Sequence, residues 1–284
     1  MPLVKTLDIL RQAVAKRYAV GAFNINSLDQ PRALIERAEA LKYPILIVVP
    51  GVIEPYVDFR DAVAVTARAA GEASIPVGIH LSHGADLAIV ERALKAGFGS
   101  VMYDGSKLAY QDNVKSTSEA VRMGRSFGAA VEGELGALGS SFSDIAESMT
   151  DPEQAKDYAE RTGVDILAVA IGNAHGFYKG KPQLDFTRLA QIRSALRGDV
   201  LLTLHGGSGI PADHMQRAIA GGICKICIYT EMCVEGKKNA IHYCADLPDY
   251  QGNLDIPELI KAINSGFCSA EALYIEMFGS KGNT

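Results

Sequence analysis

The sequence has few cysteines, no excess of positive charge and no long apolar run. Its five cysteines all lie after position 220, and their odd number argues against a disulfide framework. With 28 Lys and Arg against 33 Asp and Glu, the net charge of -5 gives little support for a nucleic-acid surface or a polybasic membrane surface. We therefore expect neither nucleic acid nor membrane as a partner.

Two further absences concern cellular location. No stretch of about 20 consecutive apolar residues occurs, so no membrane span is expected. The first ten residues lack the apolar core and the small-residue cleavage site of a secretory signal. Together with the unpaired cysteines, these features predict a protein of the reducing cytoplasm.

The chain is long and apolar enough to bury a large core, with 284 residues of which 48% are hydrophobic. Eight short runs rich in apolar and β-branched residues have the character of buried strands. They are Tyr18 to Phe23, Pro44 to Val49, Pro76 to Leu81, Ser100 to Tyr103, Ala129 to Leu135, Asp165 to Ile171, Val200 to Leu204 and Ile223 to Ile228.

Longer stretches between these runs have helical spacing, so the pattern is βα repeated eight times. It predicts a (β/α)8 TIM barrel, with an open doubly wound sheet as the alternative. A helix around Val4 to Ala15 would cap the bottom of the barrel, and no linker divides the chain, so we expect one domain over 1–284. The other predicted helices include Leu28 to Ala40, Ala85 to Ala96, Gln111 to Phe127, Glu153 to Thr162, Phe186 to Leu196 and Asp213 to Ala220.

Active sites of such barrels lie at the carboxyl ends of the strands, and unusual polar residues end several of the predicted ones. Three histidines and two carboxylates at one rim are suitable ligands for a zinc-like ion. By contrast, His80 lies three residues before His83 on one strand, so it should face the other way and be structural. The same spacing should separate Cys224 from Cys227. The expected metal ligands are His83, His175, His205, Glu134 and Asp104.

A glycine-rich segment, His205-Gly206-Gly207-Ser208-Gly209, follows the seventh predicted strand and precedes a helix. Small residues free backbone N–H groups to bind an anion, and barrel phosphate sites commonly use the loops after strands seven and eight. We therefore expect a phosphate site there. Its expected residues, together with Asn24 at the end of the first strand, are Gly176, Lys179, Gly206, Gly207, Ser208 and Thr230.

Over most of its length the chain resembles the class II, metal-dependent ketose-bisphosphate aldolases, in particular the tagatose/fructose-bisphosphate branch. Several segments carry the resemblance in order. They are Ala22-Phe23-Asn24, His80-Leu81-Ser82-His83-Gly84, Ser100-Val101-Met102-Tyr103-Asp104, Val131-Glu132-Gly133-Glu134-Leu135-Gly136, Ala168 to Gly176, His205 to Gly209 and Lys225 to Glu231.

The resemblance implies a TIM barrel that binds zinc through His83, His175 and His205. It implies that Glu134 and Asp104 hold the ion in alternative states or bind a second cation, divalent or monovalent. The implied reaction is the reversible aldol cleavage of a phosphorylated ketose to dihydroxyacetone phosphate and an aldehyde. A homodimer or homotetramer is also implied.

At positions that handle protons, the chain departs from the family pattern. Ser82 stands where the family has Asp, Phe142 where it has Glu, and Cys227 where it has Asn. Asp144 and Glu147 are candidate replacements for the missing acid or base. We take Ser82, Asp144 and Cys227 as the candidate catalytic residues.

Three functions remain open from the sequence. The first is an aldolase with an altered substrate or weakened activity, since each general acid or base typically contributes about 10²- to 10⁴-fold. The second is a metal-dependent isomerase, epimerase or hydrolase acting on a sugar phosphate. The third is a non-catalytic phosphosugar-binding or subunit-like protein.

Overall fold

A computed structural model describes residues 3–136, 149–176, 178, 180, 182–245 and 255–279. Eight parallel strands pair in chain order, and the first also pairs with the eighth, so the sheet closes. This confirms the predicted (β/α)8 TIM barrel. The strands are β1 Val20–Asn24, β2 Ile45–Pro50, β3 Val77–Gly84, β4 Ser100–Tyr103, β5 Ala130–Leu135, β6 Ile166–Val169, β7 Leu201–Leu204 and β8 Ile223–Ile228.

Helices follow the strands on the outside of the barrel. Each predicted helix is present, with its ends shifted by no more than two residues. No bounds were predicted for α3, α9 or α10. The helices are α1 Thr6–Lys16, α2 Gln30–Ala40, α3 Phe59–Glu72, α4 Leu87–Ala96, α5 Tyr110–Phe127, α6 Pro152–Thr162, α7 Phe186–Ala195, α8 Ala212–Ala220, α9 Thr230–Ala245 and α10 Ile256–Met277.

Helix α1 lies at the amino ends of the strands. Val4 donates its backbone N–H to the carbonyl of Val77, the first residue of β3, at 2.8 Å. Thr6 Oγ1 lies 2.8 Å from Ser100 Oγ at the start of β4. The predicted capping helix is therefore confirmed at the amino ends of the strands.

Local sequence explains where many helices begin and end. Asp58, Asp86 and Asp151 accept hydrogen bonds from backbone N–H groups in the first turns of α3, α4 and α6. Gly97 and Gly128 end α4 and α5 in the left-handed conformation. Among the described residues, no helix is both long and apolar enough to cross a membrane.

One prediction about strand faces is wrong at β3. Simple alternation put His80 and His83 on opposite faces, yet His80 contacts the interior Lys225 and the His83 ring packs on that of His205. The pairing of β3 with β4 shifts register between Leu81 and Gly84, and His83 has a φ of 49°. This irregularity turns the His83 ring toward the barrel mouth.

Candidate active site

Three histidine rings meet at the carboxyl ends of the strands. His83 lies on β3, His175 follows β6 and His205 follows β7. The ring of His83 lies 4.9 Å from that of His175 and 4.8 Å from that of His205, centroid to centroid. One ring nitrogen from each residue lies within 4.8 Å of the other two, so the histidines form a group that could hold one metal ion.

A second possible ligand group shares His83 with Asp104 and Glu134. His83 Nδ1 lies 2.8 Å from Asp104 Oδ2 and 3.9 Å from Glu134 Oε2. The other oxygen of Asp104 accepts hydrogen bonds from the backbone and hydroxyl of Ser106. Asp104 therefore fixes the His83 ring as well as offering an oxygen of its own.

The surroundings of Glu134 favour a bound cation. Its side chain is buried, and Oε2 has no hydrogen-bond partner among the described residues. Burial, together with the nearby negative charge of Asp104, raises the pKa of Glu134 to about 8. Because burying an unpartnered carboxylate is costly, the arrangement fits a cation at this point.

His175 is prepared to bind a metal as a neutral imidazole. Burial lowers the pKa of His175 to about 3, and positive charge on the neighbouring His83 and His205 contributes to this lowering. A neutral imidazole has a free nitrogen lone pair, which is what a metal ligand needs. The residues present therefore fit the metal expected from the sequence.

His205 contacts a buried ion pair, formed by two residues that were not among the predicted site residues. Its Nε2 lies 2.7 Å from Glu132 Oε1, and Glu132 Oε2 accepts a hydrogen bond from Lys225 Nζ at 2.6 Å. Burial raises the pKa of Glu132, but Lys225 and His205 hold it well below its usual range. Strand alternation could have predicted that these two residues face the barrel interior, because Glu132 shares a face with Glu134 and Lys225 shares one with Cys227.

The glycine-rich loop is held tightly against its neighbours. Gly206 and Gly209 have φ values of 65° and 81°, and a Cβ at Gly206 would lie 2.0 Å from the carbonyl oxygen of Ala174. Gly207 donates its N–H to Cys227 O, and Gly209 donates its N–H to Tyr274 Oη. Two backbone N–H groups of this loop, one of them from the expected residue Gly207, are thus used within the protein.

Ser208 connects this loop to the start of α9. Its Oγ accepts hydrogen bonds from the backbone N–H groups of Tyr229 and Glu231, at 3.4 and 3.2 Å. Because the oxygen already accepts twice, the hydroxyl hydrogen remains to donate to an anion. Thr230 lies between these two residues, at the amino end of α9, where the helix dipole also favours negative charge.

The structure also places three of the other candidates. Asn24 is the last residue of β1 and is buried. Ser82 is buried on β3, next to His83, and Cys227 Sγ lies 3.9 Å from His205 Nε2. Cys224 Sγ instead contacts Leu202 O, in agreement with opposite faces for the two cysteines. Asp144, Lys179, Phe142 and Glu147 lie outside the described residues.

Gly176, the remaining candidate, follows His175 directly and has a φ of 84°. The nearby Tyr178 hydroxyl accepts from the N–H of Ala174 and donates to the carbonyl of Gly206. These bonds hold the segment after β6 against the glycine-rich loop after β7. Two segments that carry expected phosphate contacts are thereby brought together at the barrel mouth.

Comparisons with known proteins agree with this geometry. The family model for class II fructose-bisphosphate aldolase matches residues 4–283. A protein described as a probable fructose-bisphosphate aldolase in Bacillus subtilis strain 168 is 37% identical over 255 residues, which cover 88% of this chain and 89% of that protein.

Solved structures give the same result. The crystal structure of the YdjI aldolase from Escherichia coli K12 superposes with a TM-score of 0.86 at 33% identity, covering 99% of this chain and 98% of that one. A Coccidioides immitis structure superposes with a TM-score of 0.88 at 28% identity, with coverage of 98% and 97%. The chain belongs to the class II fructose-bisphosphate aldolase family.

Proposed function

We propose that this aldolase-type lyase cleaves a phosphorylated ketose reversibly to dihydroxyacetone phosphate and an aldehyde, with zinc as its metal. The observation that carries the proposal is the convergence of His83, His175 and His205, each with a ring nitrogen within 4.8 Å of the other two. Three imidazoles are a common ligand set for catalytic zinc. A bound zinc ion supplies Lewis-acid polarisation of the substrate's carbonyl oxygen.

The protein's own residues would hold a phosphate group of the substrate. Ser208 supports a phosphate site because its hydroxyl hydrogen remains free to donate beside the amino end of α9. Gly176, Lys179, Gly206 and Thr230 complete our proposed site. We leave Gly207 out of the donor set because its N–H is bonded to Cys227 O.

Aldol cleavage needs two proton transfers besides the metal. The hydroxyl proton of the cleaved carbon must leave, and a proton must reach the carbanion. Ser82 is next to His83 but is a weak base at neutral pH without an activating partner. We therefore propose that Ser82, Cys227 and Asp144 define a modified proton-handling set, and that ordinary ketose bisphosphates are cleaved slowly.

Product analysis tests the proposed reaction directly. The zinc-loaded protein is incubated with a panel of ketose mono- and bisphosphates, alongside a chelator-treated control, and products are identified by mass spectrometry. Metal-dependent release of dihydroxyacetone phosphate from one or more panel members is expected. A metal-dependent isomer or dephosphorylated product without cleavage would overturn the proposal in favour of another reaction on the same class of substrate.

The same protein preparation tests assembly. From the family resemblance we propose a homodimer or homotetramer. Light scattering of the zinc-loaded protein is expected to give a mass of two or four chains. A monomer mass at working concentration would contradict this part of the proposal.

A further inference from the structure

A continuous series of polar contacts crosses the barrel interior from its capped end to the histidine centre. It begins at α1 and passes through β4, β3, β8 and β5 before it reaches the end of β7. All six side chains are buried. The successive distances are Thr6 Oγ1 to Ser100 Oγ 2.8 Å, Ser100 Oγ to His80 Nδ1 2.8 Å, His80 Nε2 to Lys225 Nζ 3.0 Å, Lys225 Nζ to Glu132 Oε2 2.6 Å and Glu132 Oε1 to His205 Nε2 2.7 Å.

Hydrogen-bond chemistry fixes the direction of several contacts. The Lys225 ammonium only donates, so it donates to His80 Nε2 and to Glu132 Oε2. His80 must then carry its hydrogen on Nδ1, which donates to Ser100 Oγ. An ionised Glu132 only accepts, so His205 donates from Nε2.

The bond from His205 to Glu132 decides which nitrogen His205 can offer to a metal. In the neutral imidazole that a metal requires, a hydrogen on Nε2 leaves only Nδ1 with a free lone pair. A carboxylate that fixes the tautomer and ring orientation of a metal-binding histidine typically changes metal affinity about 10- to 100-fold. Lys225 in turn holds the other oxygen of Glu132, which prevents the carboxylate from turning away from His205.

The burial of this ion pair is difficult to explain by stability alone. Lys225 and Glu132 are both 0% exposed. Replacing a buried ion pair by apolar residues of similar volume is often neutral or stabilising. A pair placed between the barrel interior and a candidate metal ligand is more simply explained by its effect on that ligand.

We propose that Glu132 and Lys225 are positioning residues for the metal centre, with Glu132 orienting His205 and Lys225 orienting Glu132. The inference rests on the proposed function, because it assumes that His205 binds the metal. It adds two residues outside the ligand set, neither of which needs to touch the substrate.

Zinc affinity of the variants Glu132→Gln and Lys225→Met tests this inference. Affinity is measured by competition with a chromogenic chelator, and folding is followed separately by thermal unfolding of the metal-free proteins. Glu132→Gln keeps the shape of the side chain, but its amide both donates and accepts, so the His205 tautomer is no longer fixed. We expect its zinc affinity to fall about 10- to 100-fold, and that of Lys225→Met to fall in the same direction.

A matched control lies at the other end of the series. Thr6→Val removes the hydroxyl that contacts Ser100, far from the histidine centre along the chain of contacts. It is expected to lower thermal stability and to leave zinc affinity unchanged. The double variant Glu132→Gln with Lys225→Met removes both charges, so we expect it to recover stability relative to the single variants while its zinc affinity stays low.

The outcomes separate a positioning role from a structural one. Wild-type zinc affinity in Glu132→Gln, or an affinity that recovers together with stability in the double variant, would overturn the inference and leave the proposed function intact. A wild-type protein that binds no zinc would overturn both. If Lys225→Met fails to fold, Glu132→Gln and the double variant still decide the question.

Discussion

At the scale of single residues, the candidate site combines side chains suited to hold a metal ion with side chains that are weak bases at neutral pH. His83, His175 and Glu134 lie where strand-end reasoning places them. Their electrostatics also fit a cation, with a neutral His175 and an unpartnered oxygen on Glu134. Ser82 is the residue whose chemistry agrees least with aldol cleavage. It lies buried directly beside His83, but its hydroxyl is a weak base at neutral pH.

Substituting Ser82→Asp should restore a base at this position. We expect the rate of ketose-bisphosphate cleavage to rise by about 10²-fold, the lower end of a typical general-base contribution. Thermal stability should fall, since a carboxylate is placed in a buried position. Steady-state assays of dihydroxyacetone phosphate release check the rate. The matched control is Ser82→Asn, which has similar size but no basic oxygen; equal rates in the two variants would contradict the assignment.

Gly206 and Gly128 offer a matched pair for testing the glycine-rich loop. Their φ values are 65° and 67°, but an added Cβ at Gly206 would meet Ala174 O at 2.0 Å, whereas at Gly128 nothing lies within 4 Å. Gly128→Ala should therefore cost about 1 kcal/mol from backbone strain alone. Gly206→Ala should cost more and also weaken binding of inorganic phosphate, because the loop must move away from Ala174.

Urea unfolding and phosphate titration by calorimetry check this pair of variants. Both substitutions strain the backbone equally, so any larger loss of unfolding free energy in Gly206→Ala than in Gly128→Ala comes from the contact with Ala174. Equal losses of stability with unchanged phosphate binding would show that Gly206 serves only the turn.

At the scale of helices and strands, the sequence predicted most elements because period and composition agree. The β4 and β8 bounds, Ser100–Tyr103 and Ile223–Ile228, are the same in sequence and structure. The reversal at His83 was not predictable from alternation, since it depends on a register shift between β3 and β4. Lys225 lies within an apolar strand, and only the closed barrel shows that its side chain reaches Glu132.

Helix α10 contains a buried acid that the proposed chemistry does not use. Both carboxylate oxygens of Glu271 lack a hydrogen-bond partner among the described residues. Burial raises its pKa well above the usual value, although Arg37 opposes the shift. Below the unfolded-state pKa near 4.5, Glu271 is protonated in both states and does not destabilise the folded protein. As pH rises from there through the raised folded-state pKa, the free energy of unfolding falls, because the unfolded chain loses this proton more readily than the folded protein.

Glu271→Met should therefore stabilise the protein more at pH 8 than at pH 5. We expect a gain of about 1–3 kcal/mol at pH 8, the usual cost of a buried polar group without a partner. Urea unfolding at the two pH values measures it. Glu276→Met, an exposed position on the same helix, is the control and should show no such dependence on pH. A gain that is equal at both pH values would contradict the titration argument.

At the scale of the whole molecule, the closed barrel brings residues that are far apart in sequence close together at one end. His83, His175 and His205 come from different parts of the chain, and the sheet fixes their separation. The sequence could therefore predict the ligand types from strand ends. Their spacing, and the ion pair beneath His205, depend on barrel closure and on side-chain packing across it.

Because the three histidines lie on or after three different strands, a bound metal should stabilise the whole fold. Zinc at about 100 times its dissociation constant should add about 2.7 kcal/mol to the free energy of unfolding, provided that it does not bind the unfolded chain. Thermal unfolding at increasing zinc concentration measures this gain. In His205→Ala, which removes one of the three imidazoles, the zinc-dependent rise in Tm should largely disappear. The control His242→Ala, at an exposed position in the last turn of α9, keeps all three imidazoles and should retain the rise. A zinc-dependent rise of wild-type size in His205→Ala would show that the ion binds elsewhere.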